Sequence, residues 1–259
     1  VVWNDQELLE QAVEALQRRE AMLRQQRAPL GLDSWDELVF HPLISDIFSA
    51  SGLGVYREFP LPGTVGKRSK KSQRERCDLV LTSSPQVRPC DPMEVLIDQD
   101  KAPLFAGLFD DVDARVPQSV CVNTDTGEVL EPAIAGHSSP PRLPACALEE
   151  CYFLELKTLG QFTYVDGVPV PNRRYASELV SAITKDVKKL NADDRVHQGA
   201  LLLILFTASR EVADHDLPIA MHRALDRGVL FKSPRTMGFP VADRVGNGWA
   251  TCVLLAKFA

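Results

Sequence analysis

The sequence predicts an α/β protein whose mixed central sheet is flanked by helices and interrupted by a long irregular insertion. Three observations carry this prediction. Amphipathic helical segments alternate with short apolar runs along most of the chain. The run Leu201–Phe206 is wholly apolar, the mark of a strand buried on both faces. Residues 83–150 lose both periodicities and are crowded with proline, from Pro85 to Pro144.

The first element is a helix over residues 5–27. Leu8, Leu9, Val13, Leu16, Met22 and Leu23 recur at three- and four-residue spacing, and Pro29 and Gly31 stop it. Its polar, acidic start reads as the beginning of this helix and not as a leader. A second helix starts at Asp33 or Ser34 and runs to about Ala50, with an apolar face of Trp35, Leu38, Val39, Leu43, Ile44, Ile47 and Phe48. Pro42 is expected to kink or split it. Gly52 and Gly54 end it, and Val55–Phe59 reads as a strand.

Residues 61–76 form a loop or hairpin with six basic residues in ten: Lys67, Arg68, Lys70, Lys71, Arg74 and Arg76. A phosphate-tracking loop and a solubilising surface loop both fit this cluster. Cys77–Leu81 is a strand led by Asp78. In the insertion, Val120–Asn123 and Val129–Leu130 are strand-like and joined by a Thr-Asp-Thr-Gly turn. Beyond it come a strand at Tyr152–Lys157, an excursion over 160–174 with a Val-Asp-Gly-Val turn, and a helix at Tyr175–Leu190. The Leu201–Phe206 strand, a helix at Leu217–Arg227 and a strand at Trp249–Leu255 complete the order.

Bulk properties narrow the class. The 259 residues are 45% hydrophobic and 25% charged, enough for a sizeable core. A net charge of −6 argues against a protein that coats nucleic acid, but not against a local basic cleft. No apolar run is long enough to span a membrane. The six cysteines include no C-x-x-C pair and read as reduced thiols of a cytoplasmic protein. Cys121, His137, Cys146 and Cys151 form an alternative zinc set of irregular spacing. P-loop, dinucleotide, serine-hydrolase and zinc-protease motifs are missing.

Chemistry concentrates on the strand Tyr152–Lys157. Alternation places Glu155 and Lys157 on one face and Leu154 and Leu156 on the other. Two opposite charges in an otherwise apolar strand cost several kcal/mol, in order of magnitude, to desolvate. Asp78 repeats the anomaly at the head of another apolar strand. Carboxylates at matched height on adjacent strands can share a hard divalent cation, which polarises a phosphate and acidifies a bound water. Lys157 beside that water would orient it or neutralise developing charge.

This pattern resembles the PD-(D/E)xK nuclease superfamily, the restriction-endonuclease-like fold. The matching pieces are Asp78 in Arg76-Cys77-Asp78-Leu79-Val80-Leu81, the Glu-x-Lys at 155–157, and a helix then a buried strand after it. The resemblance covers residues 33–81 and 151–207. It implies phosphodiester cleavage by Asp78, Glu155 and Lys157, usually of DNA, with Mg²⁺ (or Mn²⁺) held by Asp78 and Glu155. The chain departs from the pattern in having Cys77 where a proline would stand, and a long stretch between Asp78 and Glu155.

Further candidates are Glu58, at the end of the first strand, and Glu37, one helical turn from His41 on the second helix. Gln161 follows Lys157 by four residues. Tyr175 and Asp186-Val187-Lys188-Lys189-Leu190 match a helix pattern of similar proteins, in which Lys185 and Lys189 would touch phosphate. The resulting expectation is an N-terminal helix over 1–32 and a nuclease-like domain over 33–259. It works in the cytoplasm on DNA in defence, restriction or repair, as a homodimer or in a larger complex. The alternatives are a catalytically silent module of the same fold and an assembly protein without nucleic-acid activity.

Overall fold

Apolar alternation in the strands and apolar stripes on the helices bury each other in three layers. The computed structural model describes residues 2–64, 75–92 and 143–258. Its centre is a mixed sheet of six strands in the order β1-β2-β5-β8-β10-β9. These are β1 (Gly54–Pro60), β2 (Arg76–Thr82), β5 (Tyr152–Gly160), β8 (Gln198–Thr207), β9 (Arg235–Pro240) and β10 (Trp249–Ala256). Strands β5 and β8 pair parallel, and the other neighbours antiparallel.

Helices α1 (Asp5–Gln25) and α2 (Glu37–Ala50) cover one face. Their Leu9, Leu16, Phe40, Ile44 and Phe48 pack on Leu79, Leu81, Leu154, Leu202 and Ile204. Helices α3 (Tyr175–Asn191) and α4 (Arg210–Asp226) cover the other, with Leu179, Ile183, Val187, Ala213 and Leu217 on Leu201, Leu203, Leu205 and Val253. Strand β8 is therefore sealed on both sides, as its unbroken apolar run predicts.

Three expectations change. Helix α1 is part of the main core and not a separate unit: its stripe lies in the same cluster as the sheet, and Arg244 near the C-terminus pairs with its Glu20 at 3.3 Å. The second helix begins at Glu37, after a single 3₁₀ turn at Leu32–Ser34, and it runs through Pro42 without splitting. Pro42 and Leu38, whose carbonyl loses its partner to the proline, are both exposed to water. Helix α4 starts at Arg210, seven residues earlier than Leu217, because its first turns are polar and carry no apolar stripe to betray them.

The excursion after β5 is a hairpin, β6 (Phe162–Val165) with β7 (Val168–Pro171). Asp166 (φ 53°) and Gly167 (φ 79°) both take the left-handed region, as a two-residue turn between twisted strands requires. The two ends of the insertion return to one place. Strand β3 (Arg88–Pro89) pairs parallel with β4 (Ala145–Cys146), so the long separation between Asp78 and Glu155 leaves β2 and β5 free to pair. The short strands expected at 120–123 and 129–130 lie outside the described residues. Among those residues no helix is long and apolar enough to cross a membrane.

Candidate metal and phosphate site

The site forms where β2 and β5 part. Their pairing holds Leu81↔Tyr152, Val80↔Phe153 and Leu79↔Leu154, then stops. Strand β5 continues beside β8 as far as Gly160↔Phe206. Beyond Leu154 its free edge would leave buried N–H groups without acceptors, a cost of about 1–3 kcal/mol each. Side-chain carboxylates supply the acceptors. Leu156 donates its N–H to Asp78 Oδ2 at 2.7 Å, and Thr158 donates to Glu37 Oε2 at 3.2 Å.

Those two bonds assemble the expected residues. Asp78 sits one residue past the last pair, opposite Glu155. Glu37, in the first turn of α2, also holds Lys157, with Nζ 2.9 Å from Oε2. Burial works against the Lys157 ammonium, but the hydrogen bond and charge of Glu37, joined by Asp186 and Asp78, outweigh it and raise its pKa. Burial also raises the pKa of Asp78, opposed by the Leu156 N–H and by the charges of His41 and Lys189.

Glu58 reaches the site through its backbone. It lies between the pairs Arg57↔Leu79 and Phe59↔Cys77, at φ 52°. A non-glycine residue in that region is held there against a steric penalty of order 1–3 kcal/mol. One ligand atom each from Glu58, Asp78 and His41 lie within 4.8 Å of one another. His41 is only 1% exposed, and neither ring nitrogen has a hydrogen-bond partner. An unpartnered imidazole beside two carboxylates is the chemistry of a cation site.

Glu155 behaves differently from the expectation. Its carboxylate is not in that group; it lies against Lys189 of α3, whose Nζ is 2.9 Å from both oxygens. Hydrogen-bond geometry is met at Oε2 and not at Oε1. Lys189 also donates to the Arg76 carbonyl oxygen, so it is a member of the site and not a free phosphate contact. Burial pushes the Glu155 carboxyl up to about 7, with Lys189 pulling it back and Asp78 adding to the rise. The neighbouring Cys77 thiol is pushed up by burial and by Glu155.

The remaining candidates separate. Gln161 stands apart from the cluster: its Oε1 accepts from the Ala208 N–H at 2.9 Å and ties the ends of β5 and β8. Arg76 is exposed and donates to the Glu58 carbonyl at 3.4 Å, and Lys185 is exposed on α3. Lys67, Arg68, Lys70, Lys71 and Arg74 lie outside the described residues. Of the zinc alternative, Cys146 and Cys151 lie with their sulfurs 3.5 Å apart, while Cys121 and His137 fall outside. Asp186, whose pKa is raised by burial against the charges of Lys157 and Lys189, was read in the sequence only as the head of the Asp186-Val187-Lys188-Lys189-Leu190 pattern and given no role of its own. The signal for it was that pattern, which sets it one turn before Lys189 on the same helix.

No protein-family model, curated protein or solved structure matches this chain.

Proposed function

We propose that the chain is a metal-dependent nuclease that hydrolyses phosphodiester bonds in DNA, in a defence, restriction or repair setting. The observation that carries this reading is the meeting of Asp78, Glu155 and Lys157 at the parted end of β2 and β5, beside the unpartnered imidazole of His41. The element order agrees with the PD-(D/E)xK resemblance.

The residues fit a divalent cation. His41, Glu58 and Asp78 would hold it, one nitrogen and two carboxylates, with positions left for water and substrate. A donor set that includes imidazole suits Mn²⁺ at least as well as Mg²⁺, which favours oxygen alone. When bound, the ion supplies Lewis-acid polarisation of the phosphate and acidifies a water. The chain's own groups do the rest. The Leu156 N–H fixes the Asp78 carboxylate through Oδ2, which would hold it in place for the ion. Lys157, kept protonated by Glu37, stands on the Glu155 face of β5 as a fixed positive charge for the pentavalent phosphate. Exposed Arg76 and Lys185 would meet flanking phosphates, a contribution that fades with salt.

Plasmid and single-stranded DNA, incubated with Mg²⁺, Mn²⁺ or EDTA, test the reading. Cleavage is expected only with metal, and Asp78→Asn and Lys157→Ala are each expected to reduce it by about 100-fold or more. Cleavage that persists in EDTA or in both variants overturns the mechanism. A second reading, a catalytically silent DNA-binding module, is favoured by one observation: both lysines already hold carboxylates at 2.9 Å. Metal-independent binding without cleavage is its signature.

A further inference from the structure

Lys189 projects from the last turn of α3 into the space between β2 and β5. Its side chain is 18% exposed and that of its partner Glu155 is 4% exposed. Of the three N–H donors of the ammonium, one goes to Glu155 Oε2 and one to the Arg76 carbonyl oxygen. It is a part-buried cation already paired with the carboxylate that a metal ion shared between Asp78 and Glu155 would need. A dication sharing Glu155 with the ammonium would set like charges a few ångströms apart in a poorly solvated place, a strongly unfavourable arrangement. The imidazole of His41, by contrast, has no hydrogen-bond partner at either nitrogen, and one ligand atom each of His41, Glu58 and Asp78 lie within 4.8 Å of one another.

We infer that Lys189 is a positioning residue that takes the place of a second cation. It holds Glu155 out of the metal's ligand set, so the site accepts one divalent ion, through His41, Glu58 and Asp78. This rests on the metal-dependent reading above and deepens it. Glu155 then acts through Lys189, fixing the ammonium beside the phosphate path, and Asp78 alone links the ion to the Glu-x-Lys strand.

The test counts ions. Mn²⁺ is titrated into the full chain by calorimetry, and bound Mn²⁺ is counted by electron paramagnetic resonance, with circular-dichroism melting to verify folding. The wild-type chain is expected to bind one Mn²⁺. Asp78→Asn and His41→Ala should each weaken it by about tenfold or more. Glu155→Gln should leave the affinity near the wild-type value. Lys189→Gln should release Glu155 and create a second, weaker Mn²⁺ position, and Lys189→Arg should keep the count at one. Should Glu155→Gln fail to fold, Glu155→Gln with Lys189→Met removes both charges and carries the same expectation. Two ions in the wild type, or a loss with Glu155→Gln as large as with Asp78→Asn, overturns the inference while leaving a metal-dependent nuclease standing. A flat Mn²⁺ titration of the wild type overturns both together.

Discussion

Strands β2 and β5 run through two environments that differ in every respect but connectivity. In the closed half, Leu79, Val80 and Leu81 face Leu154, Phe153 and Tyr152 across a regular ladder, and all six are buried. In the parted half the same strands carry Asp78, Glu155 and Lys157, and the ladder bonds are replaced by side-chain carboxylates from Asp78 and Glu37. The closed half is stabilised by apolar area removed from water. The parted half is a gap that polar groups keep from collapsing, and it is affordable only because the closed half anchors both strands a residue away. A sheet that separates locally thus gains a polar site, and the freed N–H groups of Leu156 and Thr158 keep fixed acceptors.

The largest effect that would test this contrast lies in the closed half. Leu154→Ala should cost about 2–5 kcal/mol of folding stability by denaturant titration, because a fully buried leucine leaves a cavity between two packed layers. Where the variant folds, Mn²⁺ affinity should be close to that of the wild type. A metal loss without a stability loss would show that the two halves are not separable.

The next test is the pH dependence of stability in metal-free protein. The native Glu155 carboxyl keeps its proton up to about pH 7, while the unfolded one releases it near its ordinary 4.5. Between those values the native state binds more protons than the unfolded state, so this group's contribution falls as pH rises and is least favourable above pH 7. The melting temperature should decline across that window, and Glu155→Gln should flatten the decline. A variant that keeps the full slope would place the titrating group elsewhere.

A smaller effect is expected at Glu37. Its pair with Lys157 is part-exposed, at 29% and 39% of the two side chains, so Glu37→Gln should cost under about 1 kcal/mol of stability. Its chemical effect should be larger. With the carboxylate gone, burial lowers the Lys157 pKa unopposed by its nearest partner, and the alkaline limb of the cleavage profile should move to lower pH. An unmoved limb would remove Lys157 from the reaction. The smallest effect is Gln161→Ala, the loss of one hydrogen bond outside the parted region. It should cost about 0.5–1.5 kcal/mol and leave the Mn²⁺ count unchanged.

Much of this was legible in the chain alone. The period of two on β5 put Glu155 and Lys157 on one face, and the apolar core of β8 announced a strand covered on both sides. The stripes of α1, α2 and α3 were readable for the same reason: burial imposes local spacing, and spacing survives in sequence. The start of α4 was not readable, because its first turns bury little and so carry no pattern. Within the site, Asp78, Glu155, Lys157, Glu37 and Glu58 were all accessible to inspection as charges placed oddly in apolar strands or on a helix start.

The partnerships among them were decided by tertiary structure. Lys189 read as a phosphate contact, yet it closes on Glu155. His41 was marked only by its place one helical turn from Glu37, yet it is buried and without a hydrogen-bond partner. Sequence determined which residues are charged and which face of each element they occupy, because those follow from composition and local period. It did not determine where β2 leaves β5, and every partnership in the site follows from that departure. Such a departure is set by the balance of packing across all three layers, which leaves no mark at any single position.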